Sequence, residues 1–306
     1  MEFTAPGKVI LFGEHAVVYG QPAIAVPLSE LRARAWVEPT RDGAGLVIHA
    51  RDLGQRLTLG GDPAHQFSVA AQAVLARAGA PEPNATINLE SAIPSAAGMG
   101  SSAATSTAIC RALAAHLGTE LSANTVSNIV FQAERGTPSG IDNTVVAHEE
   151  PVWFISGKPP RPFRSPARCH LVLGNTGIAA STGELVAGVR KRHDADPRLY
   201  DGYFAAIGAL VRDARAALKE GELARVGELM DANHELLNTI GVGHSRLDEL
   251  VTIARDAGAL GAKLTGKGGG GNMVALTEGA DGQAAVAQAL TEAGYTAYET
   301  AFGGAT

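Results

Sequence analysis

Pro94-Ser-Ala-Ala-Gly-Met-Gly-Ser-Ser-Ala-Ala-Thr-Ser-Thr-Ala108 sets a glycine loop directly against an alanine-rich run that favours helix. Gly98 and Gly100 let the backbone bend closely around a ligand. The unpaired N–H groups at the start of the helix, near Ser101 and Ser102, face an anion with the helix dipole behind them. A nucleoside triphosphate is the natural guest of such a loop. The other reading is an ordinary turn before a helix of small residues, and two further motifs bear on the choice.

Outward from this loop, short apolar runs alternate with turn residues. Val9–Phe12, Leu31–Val37, Leu46–His49, Arg56–Leu59 and Ala85–Leu89 read as strands. Gln66–Ala78, Ser101–Leu117 and Ser122–Ala133 carry apolar residues three and four apart and read as helices, with Ser122 a candidate N-cap. Four prolines between Gly157 and Pro166 exclude a helix or a central strand there, so the domain junction is placed at this run, giving domains 1–165 and 166–306. Beyond it, His170–Leu173, Ala262–Thr265, Met273–Leu276 and Thr296–Thr300 read as strands. Pro197–Leu218, Leu223–Leu237, Arg246–Asp256 and Gly282–Ala293 read as helices. Both halves are therefore α+β, and no repeat of solenoid period is present.

Composition narrows the function. A chain of 306 residues supports a core that needs neither disulfide nor metal. Cys110 and Cys169 each lie in an apolar run and read as buried small hydrophobes, which suits a reducing, cytoplasmic setting. No export signal opens the chain and no apolar run approaches membrane-spanning length, so no membrane association is expected. A net charge of -6, scattered Lys and Arg and only 5% aromatic residues leave no basic stripe or stacking platform, which argues against nucleic acid. Much of the glycine is gathered around 98–100 and 266–271, a pattern of ligand loops rather than disorder.

Three stretches carry chemistry besides the opening loop. Lys8 stands just before an apolar strand, and Glu14 and His15 just after it; the pattern fits a cleft or a solvated strand end. Glu134-Arg-Gly-Thr-Pro-Ser-Gly-Ile-Asp142 puts two carboxylates at the ends of a Gly/Pro loop. One such group can ligate Mg²⁺ while the other accepts a hydroxyl proton, or both are solvated acids on a turn. Lys263-Leu-Thr-Gly-Lys-Gly-Gly-Gly-Gly-Asn272 packs five glycines into six residues between two apolar runs. Each glycine costs about 0.5–1 kcal/mol in a regular element, so close backbone approach to a ligand explains the run better than a plain hairpin does.

Together these stretches resemble the three motifs of the GHMP small-molecule kinases. Pro6-Gly-Lys-Val-Ile-Leu-Phe-Gly-Glu-His-Ala-Val-Val-Tyr-Gly20, Pro138-Ser-Gly-Ile-Asp-Asn143 and Gly241-Val-Gly-His-Ser-Arg-Leu-Asp248 resemble the mevalonate kinases among them. The resemblance implies an N-terminal domain like ribosomal protein S5 and a C-terminal ferredoxin-like domain, with the active site in the cleft. It also implies transfer of the ATP γ-phosphoryl group to the primary hydroxyl of mevalonate, with Mg²⁺, toward isoprenoid precursors. Asp142 then matches the catalytic aspartate and Lys8 the catalytic lysine, whose ammonium stabilises charge on the transferred group.

Pro94, Ala97, Gly98, Met99, Gly100, Ser101, Ser102 and Ala103 form the ATP phosphate loop, and Ser102 and Glu134 match the metal ligands. Glu14, His15, Thr182, Gly268 and Gly269 match acceptor-binding positions, with a plain loop histidine at 15 and a helix cap at 182 as the other readings. His244 faces the same cleft or begins a helix, and the helix start is the favoured reading. Two departures stand out. The loop from Glu134 to Asp142 is shorter than in animal mevalonate kinases, and Lys267 replaces a usual small residue, where it would touch ATP phosphates or an anionic group on the acceptor, with a side chain pointing to solvent as the other reading. Family members differ in dimerisation, so a homodimer is one expectation. The alternatives are phosphomevalonate kinase, a sugar kinase or a nucleotide-binding protein without catalysis.

Overall fold

A computed structural model of the chain describes residues 1–40, 43, 45–94, 98–134, 140–178 and 182–304, excepting the side chains of residues 53 and 182. Ala97 therefore lies outside the described residues, as does the side chain of Thr182. In chain order the elements are β1 (Glu2–Phe12), β2 (Pro22–Pro39), β3 (Leu46–Ala50), β4 (Gln55–Thr58), α1 (Gln66–Ala78), β5 (Ala85–Ser91), α2 (Ser101–His116), α3 (Ala123–Ala133), α4 (Ile141–His148), β6 (Val152–Ile155) and β7 (Arg161–Pro162). They continue with β8 (Arg168–Asn175), α5 (Thr182–Ala195), α6 (Pro197–Glu220), α7 (Leu223–Thr239), α8 (Ser245–Asp256), β9 (Gly261–Thr265), β10 (Asn272–Thr277), α9 (Gly279–Glu292) and β11 (Thr296–Gly303).

Packing divides the chain into two compact units: Met1–Lys8 with Pro27–Glu149, and Val9–Val26 with Glu150–Thr306. In the first, β4, β3, β5 and β2 lie side by side, with β3 and β5 parallel and β1 paired to β2. α1 buries Phe67, Ala70, Ala71, Val74 and Leu75, a stripe at helical spacing, and ends on Gly79 at φ 60°. α2 is buried almost all round, because its alanines, serines and threonines are small enough to sit among neighbouring helices. The Ser122 side chain caps α3 by accepting from Thr125 N–H at 3.2 Å.

In the second unit the sheet order is β11-β8-β10-β9, every neighbouring pair antiparallel. With helices between β8 and β9 and between β10 and β11, this is the split βαβ arrangement of a ferredoxin-like domain. The first residues of β2 pair with β6, and β6 with β7. The proline run is thus an edge strand followed by the buried Phe163, tolerable because an edge Pro forfeits no ladder bond.

Several elements depart from the sequence reading. β2 begins at Pro22, nine residues before the expected strand, because its first seven residues are buried on both faces and show no alternation. α5 exposes most of its surface and, among its described side chains, buries only Val189, so it lacks the apolar stripe that announces a helix. α4 follows directly on the Gly/Pro loop, which moves Asp142 from a loop into a helical first turn. No helix among the described residues is long and apolar enough to cross a membrane.

α7 and the start of β9 touch backbone to backbone. A Cβ on Gly227 would sit 2.2 Å from the Leu260 carbonyl oxygen. Alanine there gains about 1 kcal/mol of helix propensity but loses about 1–3 kcal/mol or more to overpacking, so Gly227→Ala is expected to lower the urea midpoint. At Gly202 in α6 nothing among the described residues lies within 4 Å of an added Cβ. Gly202→Ala should raise the midpoint, through a gain in stability of up to about 1 kcal/mol, and equal shifts at both sites would refute the contact.

Candidate active site

The first unit assembles one group of site residues around the start of α2. Gly100 is the N-cap at φ 74°, and no side chain caps the helix. The first helical bond runs from Ala104 N–H to Gly100 O at 3.0 Å, which leaves the N–H groups of Ser101, Ser102 and Ala103 without an intrahelical acceptor. Free donors of this kind at a helix start are suited to an anion. Gly98 also has positive φ, and its Cβ direction is open. Met99 and Ala103 turn their side chains into the core, so any role they have toward phosphate falls to the backbone. Pro94 is half-buried. Ser102 Oγ donates to Gln66 Oε1 at 2.6 Å, which leaves its lone pairs available to a cation. Ser101, Ser102 and Gln66 line a cavity of about 270 Å³ with Phe67, Asp52 and Ser91.

Lys8 is fixed beside this helix start. Its N–H donates to Met99 O at 2.8 Å, and its side chain runs along Gly100, where an added Cβ would lie 2.7 Å from Lys8 Cγ. Its ammonium reaches Asp142 Oδ1 at 3.0 Å. Asp142 is held in the first turn of α4 by its successors: Asn143 donates to Ser127 O and Oγ, and Thr144 Oγ1 to Gly140 O. Glu134, the extended residue that caps the C-terminus of α3, completes the cluster. Burial and the neighbouring Asp142 charge push its carboxyl up to about 7, against a smaller opposing effect of Lys8.

The second unit assembles another group. Glu14 is 1% exposed and pairs with Lys263, which is fully buried on β9; the second Glu14 oxygen has no partner among the described residues. Burial lowers the Lys263 ammonium, and Glu14 partly restores it. Lys263 also donates to Leu264 O at 2.7 Å. His15 follows Glu14 at φ 59° and ψ -50°, in a γ-turn of the strained hand closed by Ala16 N–H to Glu14 O at 2.6 Å. His15 Nε2 lies 2.9 Å from Lys267 O. A carbonyl only accepts, so Nε2 carries the proton and Nδ1 offers a lone pair. Burial holds the ring below its ordinary value, hence neutral near pH 7.

The glycine run makes its close approach to the chain itself. A Cβ on Gly268 would lie 2.1 Å from Val242 O, which accepts the Gly269 N–H at 2.9 Å. Behind it, His234 Nδ1 accepts from Leu264 N–H at 3.2 Å, so Nε2 donates to Asp248 Oδ1 at 3.1 Å. His244 is the N-cap of α8 through Nδ1, as its placement in the sequence suggests. Among the residues that form these groups, Gln66, Lys263 and His234 were not singled out from the sequence. The buried cation on a strand was the legible signal, since an unpaired lysine is not tolerated in a core.

The chain also matches known proteins along most of its length. The model of the GHMP kinases N terminal domain matches residues 65–149, and that of the GHMP kinases C terminal matches residues 214–296. The mevalonate kinase of Thermococcus gammatolerans is 39% identical over 318 residues, spanning 96% of this chain and 93% of that protein. The structure of L. major mevalonate kinase in complex with R-mevalonate superposes with a TM-score of 0.83 at 30% identity, covering 100% of this chain and 97% of that one. That of the Methanococcus jannaschii mevalonate kinase does so with a TM-score of 0.85 at 26% identity, covering 99% and 98%. The chain belongs to the GHMP kinase family, alongside the mevalonate kinases.

Proposed function

We infer that the protein transfers the γ-phosphoryl group of ATP to the primary hydroxyl of mevalonate, giving 5-phosphomevalonate and ADP. The observation that carries this reading is the Lys8–Asp142 pair at 3.0 Å, held by β1 and α4 beside the uncapped start of α2. Asp142 accepts the hydroxyl proton as the alcohol oxygen bonds to phosphorus and the bond from phosphorus to the departing ADP oxygen breaks. Lys8 stabilises the charge that spreads over the transferred group. The N–H groups of Ser101, Ser102 and Ala103 receive phosphate oxygens. The adjoining cavity is suited to the nucleoside, and His15, neutral with a free Nδ1, to an acceptor hydroxyl.

The residues present fit Mg²⁺. Glu134 and Ser102 supply hard oxygen donors, and the Glu134 carboxyl, half-buried beside Asp142, gains from a nearby cation. Among the described residues no group of three or more His, Cys, Asp or Glu could hold a metal. Mg²⁺ commonly takes one or two protein oxygens and completes its shell with water and substrate phosphate. Bound there, Mg²⁺ would neutralise charge on the phosphate oxygens.

ADP release followed with mevalonate, phosphomevalonate, galactose and homoserine, with the product identified by mass, tests the reading. Turnover should be confined to mevalonate, and no turnover with any acceptor would sink it. Asp142→Asn is expected to lower kcat by about 10²–10⁴-fold and to change ATP affinity by less than about 3-fold, measured by steady-state kinetics and nucleotide titration.

Glu134→Gln should separate stability from activity. The folded carboxyl titrates near 7 against an ordinary 4.5, so its contribution is fully present below about 4.5 and lost as pH rises through about 7. The full displacement is worth ~3 kcal/mol, reduced to about 1–2 kcal/mol because the group keeps contact with solvent. In metal-free buffer the variant should therefore be more stable than the parent at pH 8 and equal to it at pH 4.5, while losing Mg²⁺-dependent turnover. An equal difference at both pH values would rule out the buried charge as its source.

A further inference from the structure

Three backbone links in the second unit gather His15, Lys267 and Arg192. The Lys267 carbonyl takes the His15 Nε2–H at 2.9 Å. Two residues later Gly269 N–H donates to Val242 O at 2.9 Å, with Gly268 pressed against the same carbonyl. Immediately before Val242, the Ile240 and Gly241 carbonyls take Arg192 Nη2 at 2.9 Å and 3.1 Å, and Arg192 Nε also points to Ile240 O at 3.2 Å. A Cβ on Gly241 would lie 2.9 Å from Arg192 Cζ, so the guanidinium is seated flat on this turn.

Charge in this group does not cancel. The Lys263 ammonium is matched by Glu14, and Asp248 is engaged by His234 and Asn238. His15 is neutral; burial chiefly, and the Arg192 charge to a smaller degree, hold it so. Lys267 and Arg192 are both half-buried, and neither pairs with a carboxylate among the described residues. Arg192 spends Nε and Nη2 on carbonyls and keeps its Nη1 donors. Half-buried cations on segments tied to one turn, without counter-charge among the described residues, make a local field that favours an anion. Within the glycine run, Lys267 is also the only residue that brings a side-chain charge.

We propose that this cluster seats the carboxylate of the acceptor, with Lys267 as the residue that makes the protein select a hydroxy acid over a neutral polyol. The inference rests on the reading of mevalonate as acceptor and deepens it. The Lys267 ammonium donates to one carboxylate oxygen, and the positive field of Arg192 supports it. The neutral His15, fixed through its own bond to Lys267 O, keeps Nδ1 for a hydroxyl of the same molecule. A glycine or alanine at 267 would leave the loop backbone in place and remove the charge that reads the acid.

The test compares mevalonate with the neutral triol in which its carboxylate is replaced by a hydroxymethyl group, in the parent protein, Lys267→Met and Lys267→Arg. The parent should prefer mevalonate in kcat/KM. Lys267→Met should lose roughly 10- to 100-fold on mevalonate and less than about 3-fold on the triol, with the loss in KM for mevalonate rather than for ATP. Lys267→Arg should restore most of the preference. A parallel loss on both acceptors, or no loss on either, overturns the proposal. A parent protein inactive on mevalonate overturns the acceptor reading and this inference together, and is told apart because it precedes any variant.

Discussion

Lys8 is held at both of its ends, and the first unit's chemistry depends on that. Its backbone donates to Met99 just ahead of α2, its methylenes lie against Gly100, and its ammonium reaches Asp142 on α4. One residue thereby sets the distance between the Asp142 carboxylate and the uncapped start of α2, which come from chain positions far apart. The contact with Gly100 explains why this N-cap has no side chain. A serine or aspartate there would satisfy a free N–H and would also strike Lys8.

In the second unit the corresponding element is the buried Lys263–Glu14 pair. A fully buried pair is weak evidence for stability, since desolvation offsets much of the attraction. Its consequence is geometric. It fixes the residue before His15, and His15 occupies a γ-turn that costs about 1–3 kcal/mol and persists only where the surroundings over-determine it. Lys263 on one side and the Lys267 carbonyl on the other supply that determination. His234 carries the same support one step deeper, reading the β9 backbone with one ring nitrogen and Asp248 with the other.

Much of this was legible along the chain. α1 coincides with its expected range residue for residue, and Ser122 caps α3, because helical spacing and capping chemistry are local signals. β2 and α5 were hidden for opposite reasons, one buried without alternation and the other exposed without a stripe. The five-glycine run reads in the sequence as backbone brought close to a ligand. The structure shows Gly268 and Gly270 meeting the chain's own carbonyls at Val242 and Ile178, a partner that composition does not identify.

The sequence by itself determined the α+β class, the glycine loop before α2, and the residue types for phosphoryl transfer: an amine, two carboxylates and a hydroxyl. Each follows from properties carried by a residue and its near neighbours. Only the tertiary structure decided which charges cancel. Lys8, Lys263 and Lys267 look alike in one dimension, yet the first faces Asp142, the second is neutralised by Glu14 in the core, and the third has no carboxylate among the described residues. Electrostatic pairing depends on distance in space and on burial, and neither is written in the spacing of residues along a chain.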